Sequence, residues 1–153
     1  MVKDIKLIVN NLISKYNTRD IYELCSYLNI TIKKDNLEDI KGYFLNSLGN
    51  SFIVISQNLE DKEIPSVIAH ELGHFILHKD NNICFLSNYT YSVTNKKENE
   101  ANKFAAELLL DDALINTFIE ENQAITYEQM AKVFNVPIEF VEYKMFDMLK
   151  RLG

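Results

Sequence analysis

Apolar positions recur at helical spacing along the first stretch of the chain. Val2, Ile5, Leu7, Ile8, Leu12 and Ile13 share a face, which predicts an amphipathic helix over residues 2–16. Thr18 is placed to cap a second helix ending near Leu28, with Asp20 in its first turn. The pattern then changes from a period near 3.6 to a period of two. Ile30-Thr31-Ile32 reads as a strand, Gly42-Tyr43-Phe44-Leu45 as a second, and Ser51-Phe52-Ile53-Val54-Ile55 as a third. The turn Leu48-Gly49-Asn50 between the last two marks a hairpin. Ser51–Ser56 is apolar on both faces, as for a strand covered on each side; lying just before the next helix, it is also a candidate edge for an added strand.

Helical patterning resumes with Pro65, which suits a first turn, and runs through about His78. Residues 80–95 are rich in Asn, Ser, Thr and Tyr and read as a long loop or a loop with a short irregular element. A further helix is expected from near Lys97 to about Phe118. A short one is expected behind the capping pair Thr126 and Gln129, and a last one from Pro137 to about Leu149. The expected fold class is α+β: a small, mainly antiparallel three-stranded sheet packed on a helical bundle. At 153 residues this is one domain, 1–153, with 119–153 a C-terminal helical subregion.

Composition narrows the functional classes. The chain is 47% hydrophobic and 25% charged, enough for a buried core and too apolar for a disordered chain. Its formal charge is -6, which argues against sequence-independent nucleic-acid binding, since that needs cationic surface. No apolar run approaches the roughly 18 residues that span a bilayer, and the N-terminal stretch is too interrupted by charges and amides for a signal peptide. The two cysteines, Cys25 and Cys84, form no CxxC pair, so neither a disulfide scaffold nor a thiolate metal site is expected. The expected compartment is the cytoplasm.

All three histidines fall in one string, AHELGHFILHKD. His70 and His74 are four apart and so lie on one helix face, where two imidazoles can bind the same ion. Glu71 sits about 100° further round, beside such an ion rather than on it. This H-E-x-x-H spacing suits a metal that acidifies a water and a glutamate that takes its proton. Gly73 lets another backbone approach closely.

A catalytic zinc needs a third protein ligand and an open position. His78 lies eight residues past His70, about 80° off its face, and falls short. It suits packing at the helix end or donation to a carbonyl there. The longer H-E-x-x-H-x-x-G-x-x-H pattern fails, with Leu77 at the glycine position and Asp80 at the last. A carboxylate from the next helix remains, either Glu98 or Glu100. Ala101, Ala105 and Leu108 mark the packed side of that helix. Asn102, four residues after Glu98, can hold a histidine by its other ring nitrogen.

With AHELGHFILHKD followed by ENEANKFAAELLL, the chain resembles the ImmA/IrrE family of metallopeptidases, in a gluzincin-like arrangement. TRDIYELCSYLNITI and the KGYF…FIVIS hairpin resemble that family's lead-in to its active-site helix. The resemblance implies a zincin-like fold with one zinc ion per chain, other divalent metals being compatible. It implies His70, His74 and Glu98 as ligands and Glu71 as catalytic base. It also implies a narrow protein substrate, a helix-turn-helix repressor of a mobile element or prophage, whose repression is relieved by cleavage; the alternative is a non-hydrolytic regulatory protein that binds a repressor or an antitoxin-like partner. One departure is visible: Leu108-Leu109-Leu110 leads into Asp111-Asp112 where family members often carry Met-Pro, which bears on where that helix ends.

The segment TYEQMAKVFNVPIEFVEYKMFDML resembles a helix-turn-helix, with Ala131 and Val136 at packed positions. Its would-be recognition helix offers Glu139 and Glu142 and no Lys or Arg before Lys144, and carboxylates repel phosphate. The pair therefore reads as a packing or protein-docking element rather than a direct DNA contact.

Overall fold

The computed structural model describes residues 3–78, 83–85 and 91–152. Val2 lies outside them, as does most of the stretch 79–90. The first helix, α1 (Ile5–Tyr16), is capped by the Asp4 side chain, which accepts from the Leu7 N–H. The second, α2 (Ile21–Tyr27), is capped by Asp20, not by Thr18: the Asp20 carboxylate takes the N–H groups of Tyr22 and Glu23. Thr18 instead accepts from the Asp20 N–H at 3.0 Å and orients the cap. Cys25 in α2 is buried, and burial, then the Asp20 charge, pushes its thiol up to about 12, which leaves it inert as a nucleophile.

The three expected strands form as β1 (Ile30–Asp35), β2 (Gly42–Ser47) and β3 (Asn50–Ser56). Leu48 and Gly49 both have positive φ (51° and 80°), the two-residue turn that matches the twist of a tight hairpin. A short fourth strand, β4 (Ile83–Phe85), falls within the stretch read as a loop. The sheet order is β1-β3-β2-β4. β1 runs parallel to β3, while β2 is antiparallel to both β3 and β4, so the sheet is mixed and mainly antiparallel. This order corrects the expectation of an edge at Ser51–Ser56: β3 is bonded on both sides. Its Ile53, Val54 and Ile55 are buried accordingly.

After a 3-10 turn at Asp61–Glu63, α3 (Ile64–Leu77) begins with Pro65 in its first turn. It is buried from Ser66 through His74. Such an all-round buried helix must be covered on every side. The sheet covers one side, through β2 and β3, and α4 (Tyr91–Leu109) another. α4 ends earlier than the expected Phe118. The Arg19 guanidinium donates to the carbonyls of Glu107 and Leu108, each at 3.0 Å, and Asp111 starts a new helix, α5 (Asp112–Glu121). The last pair is α6 (Tyr127–Phe134), with the expected Thr126–Gln129 capping box, and α7 (Ile138–Leu152).

α7 packs on α4, and an ion network pins it there. Lys144, 2% exposed, donates to Glu107 at 2.9 Å and pairs with Asp112. Lys6 of α1 reaches the same two carboxylates at 3.2 and 2.6 Å. The result is the α+β architecture read from the sequence, with α3 and α4 at its centre. Among the described residues, no helix is long and apolar enough to cross a membrane.

Candidate metal centre

The site forms where α3 and α4 touch. A Cβ on Gly73 would stand 3.1 Å from the Ala101 carbonyl oxygen and 3.2 Å from its Cα, so the glycine permits the approach of the two backbones. The approach brings a carboxylate from α4 over the two histidines of α3. Glu98 Oε2 lies 3.0 Å from His70 Nε2, and Glu98 Oε1 lies 2.8 Å from His74 Nε2. The two Nε2 atoms are 3.2 Å apart, with the rings nearly perpendicular at 83°. Phe44 of β2 covers His74 from the sheet side, its ring centroid 6.2 Å away.

Asn102 stands where the spacing on α4 placed it. Its Oδ1 is 2.7 Å from His70 Nδ1, which turns Nε2 of that ring toward Glu98. Glu100 does not approach the three; its carboxylate faces His78 Nε2 at 3.4 Å and Lys3 at 3.5 Å. His78, expected to pack the helix end or donate to a carbonyl, instead sets Nδ1 3.0 Å from His74 Nδ1. This contact was legible in principle, since His78 follows His74 by the same four residues that separate His74 from His70.

The donor set tests whether a cation fits. Donors bound tetrahedrally at about 2.0–2.2 Å stand about 3.3–3.6 Å from one another. The two Nε2 atoms here are 3.2 Å apart and lie 3.0 and 2.8 Å from the two Glu98 oxygens, some tenths of an ångström short of that range, which a small spreading of the side chains supplies. Two imidazoles and a carboxylate are also the donors that zinc takes in catalytic sites. Glu71 supplies a separate observation. It is fully buried, and among the described residues neither carboxylate oxygen has a hydrogen-bond partner. A charged group so placed is costly unless a cation or a polar ligand faces it. The residues therefore fit a divalent ion.

Electrostatics follow the same geometry. Burial pushes the Glu71 carboxyl up to about 8, opposed by His70 and aided by Glu98. A dication alongside would draw it back toward the ionised form. Glu98 is held down to about 2, because the His70 and His74 contacts outweigh its burial. Burial lowers His74, whereas at His70 the Glu98 carboxylate overcomes burial and raises it. His78 drops to about 4, through burial first and His74 second, and so is neutral at ordinary pH.

Comparison with known proteins agrees with this architecture. The family model of the IrrE N-terminal-like domain matches residues 25–146. Uncharacterized immunity region protein 2 of Bacillus phage phi105 is 40% identical over 147 residues, covering 95% of this chain and 92% of the phage protein. Metallopeptidase ImmA of Bacillus subtilis (strain 168) is 35% identical over 145 residues, covering 94% of this chain and 85% of its own length. A solved Mycobacterium tuberculosis transcriptional regulator shares the fold, with a TM-score of 0.63 at 14% identity over 94% of this chain. The chain spans 47% of that regulator, about half its length. With a domain match over most of its residues and two close relatives along nearly all of its length, the chain belongs to the ImmA/IrrE family, a metallopeptidase family.

Proposed function

We propose that the protein is a zinc-dependent endopeptidase of narrow specificity, with His70, His74 and Glu98 as metal ligands and Glu71 as catalytic base. The observation that carries this reading is the convergence of three donors beside a buried, partnerless Glu71 carboxylate. Zinc bound there would acidify a water and polarise the scissile carbonyl. Glu71 would serve as general base, accepting a proton from water and returning it to the leaving amine. Asn102 holds His70 by Nδ1 and keeps its Nε2 turned inward. Phe44 shields His74 from the sheet side and helps exclude water.

An extended substrate backbone can pair with a strand edge, and β4 ends the sheet next to β2, whose Phe44 ring lies 6.2 Å from that of His74. The substrate we propose is a helix-turn-helix repressor of a mobile element or prophage, met in the cytoplasm. The name of the phage relative, an immunity region protein, supports a regulatory setting. A protein rather than DNA is favoured as partner because Lys144, the first basic residue of α7, is buried in an ion network.

Glu71→Gln tests the reading. The amide cannot take the proton, so cleavage of a co-expressed repressor should fall by about 10²–10⁴-fold while one zinc per chain remains bound. If Glu71→Gln relieves repression as well as the wild type does, the activity is binding alone and the protein is a non-hydrolytic regulator.

A further inference from the structure

Two of the three histidines use Nε2 to face Glu98. A neutral imidazole that offers one nitrogen to a cation carries its proton on the other. The Nδ1–H of His70 has an acceptor in Asn102 Oδ1 at 2.7 Å. The Nδ1–H of His74 faces a second ring nitrogen, His78 Nδ1, at 3.0 Å. Two ring nitrogens at that distance bond only if one carries the proton and the other a lone pair. His74 being the donor, His78 must accept at Nδ1 and keep its own proton on Nε2. That Nε2 faces Glu100 Oε1 at 3.4 Å, and a carboxylate only accepts. The other Glu100 oxygen is 3.5 Å from Lys3 Nζ, which also donates to the Leu77 carbonyl at 3.1 Å.

From this alignment we infer that His78 is a positioning residue for the metal ligand His74: a hydrogen-bonded chain His74–His78–Glu100, its far end ion-paired to Lys3, fixes the tautomer and the orientation of the His74 ring. The inference rests on the metal-site reading above. Every link has one possible direction, because Glu100 can only accept and Lys3 can only donate. The chain runs from α3 to α4 and on to Lys3, just ahead of α1, so three segments distant in sequence converge on one ligand ring. Partners of this kind typically change metal affinity by 10- to 100-fold.

With only three histidines in the chain, ¹⁵N-histidine labelling reports all six ring nitrogens. In the zinc-loaded protein, His70 and His74 should be protonated on Nδ1 and His78 on Nε2. A His78 protonated on Nδ1 would overturn the inference. Competition against a chromophoric chelator gives a second readout. His78→Leu should weaken zinc binding about 10- to 100-fold, with the metal-free protein still folded by circular dichroism. His78→Asn, whose Oδ1 stands near the place of Nδ1, should stay within about threefold of wild type, and Glu100→Ala should lose about threefold. A folded His78→Leu that binds zinc like wild type sinks the proposal. If His78→Leu does not fold, the tautomers of the wild type and the affinity of His78→Asn decide, a loss of about tenfold or more in His78→Asn counting against it. Failure of the underlying reading looks different: wild type would then bind no stoichiometric zinc, or Glu98→Ala would bind as wild type does.

Discussion

Replacing Gly73 by alanine should damage the metal site more than the fold. An ideal Cβ at Gly73 falls 3.1 Å from the Ala101 carbonyl oxygen, 3.2 Å from Ala101 Cα and 3.2 Å from Phe104 Cβ. Carbon atoms prefer about 3.5–4.0 Å, so α4 must retreat by roughly half an ångström. The contacted atoms at Ala101 are backbone, so trimming that side chain brings no relief. Glu98 lies three residues before Ala101 on α4 and must move with it. Metal ligands tolerate only about ±0.2 Å, so zinc affinity should drop by about tenfold or more, which is about 1.4 kcal/mol. Fold stability carries two opposing effects. Alanine favours the helix by up to about 1 kcal/mol over glycine, while overpacking costs about 1–3 kcal/mol. The net loss in the metal-free protein should be about 0–2 kcal/mol. Chelator competition measures the first quantity and urea unfolding of the metal-free protein the second. A folded Gly73→Ala variant with wild-type zinc affinity would refute the idea that helix spacing sets the site.

Three further outcomes follow from other parts of the molecule. Lys144→Met should destabilise the protein by about 2–4 kcal/mol in urea titrations, since it strips a buried cation from Glu107 and Asp112 while Lys6 still pairs with both; a loss below about 0.5 kcal/mol would show the network to be dispensable. Burial works to raise the Asp112 carboxyl, but the Lys144 and Lys6 hydrogen bonds win and hold it below 3.8, so its contribution is present above that pH and drains as pH falls through the lower folded value. Metal-free wild type should therefore lose urea resistance in that acidic window, and Lys144→Met should show a shallower loss; parallel curves would contradict the assignment. Ile53→Pro should abolish cooperative melting, because β3 is bonded to β1 and β2 on its two sides; a folded Ile53→Pro lacking only cleavage would mean that β3 meets substrate after all.

What could be read from the chain beforehand was whatever depends on local spacing. His70 and His74 share a face because they are four apart, and the Asn102 contact to His70 came from the same rule applied to α4. The choice of Glu98 over Glu100 did not come from spacing. Both precede Asn102 on the same helix, and only the family likeness separated them before geometry placed Glu100 against His78. The end of α4 was missed because its cap is not local: Arg19 lies 88 residues from the Glu107 carbonyl it binds. The place of β3 was missed for a related reason. A strand's own pattern tells how covered it is, yet nothing in it reveals that β1 returns to pair in parallel on its outer side. The four-residue spacing put His78 within reach of His74, but a helix-end histidine also has nearby carbonyls as partners, so spacing alone did not choose between them.

α4 explains why the C-terminal helices belong to the same packed body as the metal centre. Four of its polar side chains are committed in three directions. Glu98 and Asn102 face α3, Glu100 faces His78 and Lys3, and Glu107 faces Lys6 and Lys144. Moving α7 away from α4 would strand Glu107 and Lys144, both buried, at a cost of several kcal/mol. That cost binds α7 to the helix that holds Glu98. It also removes Lys144 from the surface, leaving the exposed Glu139 and Glu142 as the charged groups of the first two turns of α7. A duplex brought against that face would meet carboxylates where phosphate needs cations. A protein partner with its own basic side chains meets no such barrier there. The segment that resembles a helix-turn-helix thus commits its central cation to internal packing and leaves Glu139 and Glu142 outward on the first two turns of α7, the charge arrangement on which the proposal of a protein partner rests.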